Sequence, residues 1–98
     1  MEERKKALVT GASRGIGRAI CEKLASEGTD IVFSYRSGEE AAAETIRLCS
    51  KYGVEVHGIK ADVSSQEECE SLIKEAVDLL GGRIDILVNN AGITKDNL

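Results

Sequence analysis

Proline is absent from these 98 residues, histidine appears once, and cysteine three times. The missing proline is unusual but excludes nothing by itself. The cysteines say more. Cys21, Cys49 and Cys69 are odd in number, far apart, and each sits in a helix-like stretch. That pattern fits neither a zinc site nor a disulfide framework. Buried free thiols in a reducing compartment are the simpler reading. No apolar run approaches the roughly 18 residues of a membrane span. The charged opening residues lead into a short strand rather than the apolar core of a signal peptide. Positive charge is also scarce: 13 Lys and Arg against 17 Asp and Glu leave a formal charge of -4. Such a chain is a poor match for a nucleic-acid backbone, although local basic patches survive any net charge. There is no linker, repeat or low-complexity run. A chain of this length is one small domain or part of a larger one.

What is present is an alternation. Residues 6–10, KALVT, read as a short buried strand, and residues 11–15 as a glycine-bounded loop. Residues 16–27 then carry Ile16, Ile20, Leu24 and Ala25 at helical spacing, with Gly28 placed just past the end. A second strand follows at 30–35, DIVFSY. The second predicted helix covers 37–52, with Ser37 and Glu40 as a capping box and Ala42, Ile46 and Cys49 on its apolar face. A third strand, less cleanly alternating, is predicted at 54–59. The strongest helical pattern runs over 64–80. Ser64 and Glu67 suggest its cap, and Cys69, Leu72, Ile73, Ala76, Val77 and Leu80 form one stripe. Gly81 and Gly82 stop it before a fourth strand at 84–88, IDILV.

Strands that alternate with helices through short connections predict a parallel sheet with helices on both faces. Right-handed crossovers then give the strand order 3-2-1-4. The switch between strands 1 and 4 opens a crevice at their C-terminal ends, where ligands bind. In that arrangement the apolar fourth strand would be an unprotected edge. The expectation is therefore that residues 1–98 are the N-terminal part of a longer sheet.

The loop after the first strand reads TGASRGIG over residues 10–17, with glycines at 11, 15 and 17. This differs from the common G-x-G-x-x-G string. It suits the same task, letting backbone approach a pyrophosphate that lies on a helix N-terminus. A tight turn without a ligand would use the same glycines. Arg14 inside the loop adds a side chain able to grip a phosphate. The second strand ends in Tyr35-Arg36-Ser37, where an NAD site usually places an acid. Glu39 and Glu40 fall just inside the next helix instead. Arg36 offers positive charge where the additional phosphate of NADP would lie. Asp62 and Val63 follow the third strand. The carboxylate could accept from the adenine amine while Val63 packs on the ring, or Asp62 could serve to start the next helix. His57 falls within a strand, away from the crevice, and reads as structural.

TGASRGIG, Asp62-Val63 and NNAG at 89–92, at this spacing, resemble the short-chain dehydrogenase/reductase family over essentially the whole chain. With the tail ITKDNL they are most similar to its branch acting on 3-oxoacyl-[acyl-carrier-protein]. The resemblance implies an α/β fold: the N-terminal half of a Rossmann-type doubly wound parallel sheet, with four strands in the order 3-2-1-4 and three helices. It implies NADP as cofactor. Gly11, Ala12, Ser13, Arg14, Gly15, Ile16 and Gly17 would wrap its phosphates and adenosine ribose. Arg36 would meet the additional phosphate, and Asp62 and Val63 the adenine. Asn89, Ala91 and Gly92 would line the nicotinamide side, and the asparagines of NNAG would also brace the central strand. The family's serine, tyrosine and lysine would follow residue 98. Neither tyrosine here has a lysine four positions on, since Tyr35 is followed by Glu39 and Tyr52 by Val56. No catalytic residue is assigned within 1–98. The resemblance further implies a cytoplasmic homotetramer that reduces substrate carried on acyl carrier protein, without membrane or nucleic-acid partners.

Overall fold

In the computed structural model, which describes residues 3–91, four parallel strands form one sheet in the order β3-β2-β1-β4. The elements are β1 (Lys6–Val9), α1 (Gly15–Ser26), β2 (Asp30–Tyr35), α2 (Glu39–Ser50), β3 (Val56–Lys60), α3 (Gln66–Leu79) and β4 (Ile86–Val88). The predicted fold class and strand order both hold. β1 pairs with β2 from Lys6↔Asp30 to Val9↔Phe33, and with β4 from Ala7↔Ile86 to Val9↔Val88.

Side-chain alternation along the strands builds two cores. Val9, Ile31 and Phe33 point to one face and pack with Cys21 and Ala25 of α1 and Ala42 and Cys49 of α2. Leu8 and Val32 point to the other, against Leu72 and Ala76 of α3 and the adjoining Leu80. Helices therefore cover both faces, as a parallel sheet requires. Gly58 of β3 is part of this packing. It pairs with Phe33, and a Cβ there would come 2.8 Å from the ring's Cζ. The ring fills the space a side chain would take. No helix among the described residues is long and apolar enough to cross a membrane.

The ends of the elements differ from the sequence reading in instructive ways. The second helix begins at Glu39, not at residue 37, and Ser37 does not cap it. Its N-cap is Gly38, held at φ +86, where glycine alone is unstrained. The third helix starts two residues later than predicted. Its cap is Ser65, whose hydroxyl accepts from the Glu68 N–H at 3.3 Å. Ser64 is diverted: its hydroxyl and its N–H both donate to Asp62 Oδ1, at 2.7 and 3.0 Å. Glu68 then reaches back to accept from the Asp62 N–H at 2.8 Å. The predicted stripe of α3 is only partly buried, with Ile73 43% exposed. Cys21 and Cys49 are buried, and burial pushes both thiols up, Cys49 to about 11. Cys69 is half-buried. The fourth strand is shortened to Ile86–Val88, and Leu87 is 63% exposed on its open side.

At the N-terminal end of the sheet, Asp30 is buried in a polar knot. Its carboxylate accepts from Lys6 Nζ at 2.7 Å, Arg4 Nη1 at 3.2 Å and the Glu55 N–H at 2.9 Å. One carboxylate thus ties β2 to the start of β1 and to the approach to β3. Burial alone would raise its pKa. The Lys6 hydrogen bond, the Glu55 N–H and the charges of Lys6 and Arg4 together hold it below the ordinary value.

Candidate functional site

At the opposite end of the sheet, the loops after β1, β2, β3 and β4 converge. The first is shaped by two glycines for two different reasons. Gly11 takes φ +71, and a Cβ on it would touch Ala91 at 3.0 Å. Gly17, on the first turn of α1, is buried. A Cβ there would overlap the Gly11 carbonyl oxygen and lie 2.8 Å from Ala12 Cα. Small residues thus let the helix N-terminus close onto the loop. Arg14 is the N-cap of α1 in extended conformation, without a side-chain cap, and is exposed. Gly15 follows at φ +66 and Ile16 is 73% exposed.

The fourth loop braces the first. Thr10 Oγ1 donates to Asn89 Oδ1 at 3.2 Å and accepts from the Ala91 N–H at 2.9 Å. Asn90 Nδ2 donates to the Gly11 carbonyl at 2.9 Å. Asn90 thus bonds the backbone just past the central strand, while among the described residues Asn89 meets only the Thr10 hydroxyl. Gly92, also expected at the site, lies outside the described residues.

A cavity of about 270 Å³ sits where these loops meet, lined by Gly11, Tyr35, Arg36, Asp62, Val63 and Ala91 among others. Five predicted site residues from four separate loops share this one hollow. Asp62 is ionised there. The Ser64 hydroxyl and N–H, and then the Arg36 charge, hold its carboxyl below the usual carboxylate range. It is an acceptor at neutral pH, and it also organises the turn into α3. Both roles left open for it in the sequence are compatible with this geometry. Arg36 is exposed, and the Arg14 guanidinium lies over Gly38 at the start of α2: a Cβ on Gly38 would meet Arg14 Nη2 at 2.6 Å. Glu39, the nearest acid after β2, is in an exposed ion pair with Lys60 at 3.2 Å. A second hollow of about 310 Å³, between β3 and α3, is lined by Glu67, Glu68 and Glu75 against the single cation Lys60, a balance unfavourable to an anion.

Two residues of this region were missed in the sequence. Arg18 Nε donates to Thr45 Oγ1 at 2.9 Å, and its Nη2 donates to the Ser13 and Ala41 carbonyls at 2.7 and 2.9 Å. Thr45, fully buried on α2, has its hydroxyl 3.0 Å from both the Ala12 and Ser13 carbonyls. The signal for Thr45 was a polar residue in the middle of an otherwise apolar face.

Residues 5–98 match the family described as short chain dehydrogenase. The chain belongs to that family. It is 50% identical over 94 residues to 3-oxoacyl-[acyl-carrier-protein] reductase FabG of Aquifex aeolicus, covering 96% of this chain and 38% of that protein. It is 45% identical over 89 residues to L-rhamnose 1-dehydrogenase (NADP(+)) of Thermoplasma acidophilum, covering 91% and 35%. Among solved structures, a blue fluorescent protein from a metagenomic library, in complex with NADPH, superposes with a TM-score of 0.84 at 40% identity. That match covers 91% of this chain and 36% of that one. The chain thus spans little more than a third of the length of the relatives it matches. Over that span it is closely related to the FabG-type reductases of the family. The residues present fit a dinucleotide: a loop that side chains would obstruct, a helix N-terminus behind it, an ionised acceptor and Arg36 at the cavity wall.

Proposed function

We propose that residues 1–98 are the N-terminal dinucleotide-binding part of a single Rossmann-type domain, in an NADPH-dependent reductase. The whole protein would convert 3-oxoacyl-[acyl-carrier-protein] to 3-hydroxyacyl-[acyl-carrier-protein], as a cytoplasmic homotetramer. The observation that carries this reading is the shared cavity. The α1 N-terminus offers backbone N–H groups to phosphates, while Gly11, whose own N–H donates to Ser34 Oγ at 3.3 Å, leaves room for the approach. Asp62 and Val63 offer an acceptor and an apolar surface to adenine. Arg36, at the cavity wall, offers charge to a phosphate on the adenosine ribose, and Arg14 over Gly38 adds to the positive charge of this end of the sheet. The likeness to the FabG-type reductases supports the substrate class. When bound, the nicotinamide supplies the hydride. The residues of this chain bind and orient the cofactor, and none of them is proposed as the proton donor.

The preference for NADP over NAD follows from the rim. A ribose with a free 2′-hydroxyl is best met by a carboxylate, and the residue after β2 that lines the cavity is Arg36, not Glu39. A phosphorylated ribose is best met by guanidinium. The test is Arg36→Ala, with dissociation constants for NADPH and NADH measured side by side. NADPH binding is expected to weaken about tenfold or more, the scale of a lost charge-assisted hydrogen bond, with NADH little changed. Equal losses for both cofactors would show that Arg36 does not read the phosphate.

The similarity to the rhamnose dehydrogenase favours one second reading: the same cofactor, with a sugar rather than an acyl thioester as substrate. Turnover of acetoacetyl thioester against rhamnose by the whole protein separates the two.

A further inference from the structure

We propose that Arg18 and Thr45 are positioning residues for the dinucleotide's phosphates, setting the direction of the loop N–H groups without touching the cofactor. This rests on the cofactor reading above. Besides the Ala41 carbonyl within α2, which both also meet, Arg18 and Thr45 engage two loop carbonyls, those of Ala12 and Ser13. Each belongs to a peptide whose other half is the N–H of the following residue, Ser13 or Arg14. No peptide bond among the described residues is cis. In a trans peptide the N–H points opposite the carbonyl. Anchoring both carbonyls toward α2 therefore turns the Ser13 and Arg14 N–H groups away from it. Among the described residues neither N–H has a hydrogen-bond partner. They are left as donors on the outer side of the loop, where an anion is expected.

The anchor is built to hold. Thr45 is fully buried and its hydroxyl accepts from Arg18 Nε at 2.9 Å, so its own proton is directed to a carbonyl. The Arg18 fork spans α1, the loop and α2, because Nη2 also meets the Ala41 carbonyl. All of its acceptors are uncharged. The guanidinium charge is therefore not cancelled by these contacts, and it adds attraction for an anion close by. Donors fixed in advance bind without reorganising, which is how preorganisation raises affinity.

The experiment compares Thr45→Val, Thr45→Ser and Arg18→Lys in the whole protein. NADPH is titrated calorimetrically, and adenosine, which carries no phosphate, is followed by its effect on the Val63 amide resonance. Valine keeps the volume and removes the hydroxyl; serine keeps the hydroxyl and removes a methyl. Thr45→Val is expected to weaken NADPH about tenfold, the loss of a bond worth roughly one decade, and to leave adenosine unchanged. Thr45→Ser should restore NADPH affinity although its packing is worse. Amide exchange at Ser13 and Arg14 in the free protein should accelerate in Thr45→Val and not in Thr45→Ser. If Thr45→Val melts below the titration temperature, Arg18→Lys, which keeps the charge and loses the fork, is expected to show the same loss. Wild-type affinity in both Thr45→Val and Arg18→Lys would overturn the proposal while leaving the cofactor site intact. A loss that tracks the missing methyl rather than the missing hydroxyl would also overturn it. A wild-type whole protein that binds no NADPH would overturn the cofactor reading and this inference together.

Discussion

Replacing Gly17 by alanine tests the closeness of loop and helix on which the site depends. The new Cβ would overlap the Gly11 carbonyl oxygen and sit 2.8 Å from Ala12 Cα and 2.9 Å from Asn90 Nδ2. Carbon–carbon contacts are comfortable at about 3.5–4.0 Å, so the first turn of α1 must retreat by roughly 1 Å. Two of the three obstacles are backbone and cannot rotate away. The third, Asn90 Nδ2, is itself bonded to the Gly11 carbonyl, so yielding there breaks a brace. Overpacking of this kind costs about 1–3 kcal/mol and the lost hydrogen bond about 1 kcal/mol more. A total near 3 kcal/mol lowers the melting temperature of a domain this size by about 12–24 °C. Gly15→Ala is the control. Nothing lies within 4 Å of the site of its Cβ, but φ is +66, so only the left-handed conformation is penalised, by about 1–2 kcal/mol. The assay is thermal melting by circular dichroism, with NADPH titration of whatever remains folded. Gly17→Ala should lose much more stability than Gly15→Ala, and should lose cofactor affinity at a temperature where it is still folded. A Gly17→Ala chain that melts with or above Gly15→Ala would refute the argument from close approach.

Two further predictions concern stability. Asp30 has a folded pKa below its unfolded value, so its stabilising contribution is present above about pH 4. That contribution is lost as the pH falls through the lowered folded value. In urea unfolding, Asp30→Asn should therefore be less stable than wild type at pH 7, with the gap narrowing toward pH 2; a constant gap would contradict the ion-pair account. Gly58→Ala places a methyl 2.8 Å from the buried Phe33 ring and should cost about 1–3 kcal/mol in the same assay. A neutral result would mean that the ring has room to move.

The order of the strands and the position of the loops were legible because each depends on local pattern. Apolar pairs such as Leu8 and Val9 point to opposite faces by the strand period alone, and the glycine-rich loop announces a turn. The helix starts were less legible because two adjacent serines, Ser64 and Ser65, carry equal capping propensity. The choice is made by Asp62, which takes the hydroxyl and N–H of Ser64 and leaves Ser65 to cap. At Ser37 the decisive residue was the neighbouring Gly38, whose positive φ no capping pattern reveals. The less clean alternation of the third strand also has a cause. Gly58 breaks the pattern because Phe33, from a strand 25 residues earlier in the pairing register, fills its place. Arg18 and Thr45 stayed hidden for the same reason: they meet across a separation of 27 residues, and helical periodicity reports a face but not what lies opposite.

The position of the two tyrosines has a spectroscopic consequence. The chain has no tryptophan, so near-ultraviolet emission comes from Tyr35 and Tyr52 alone. Tyr35 lines the cavity. Tyr52 lies just past the C-terminal end of α2, which returns to the far end of the sheet, with the Lys51 ammonium 5.3 Å from its ring centre. One fluorophore therefore looks into the site while the other serves as an internal reference far from it. A dinucleotide entering the hollow should quench the first and spare the second. Tyr35→Phe would leave a protein whose emission no longer registers the ligand at all.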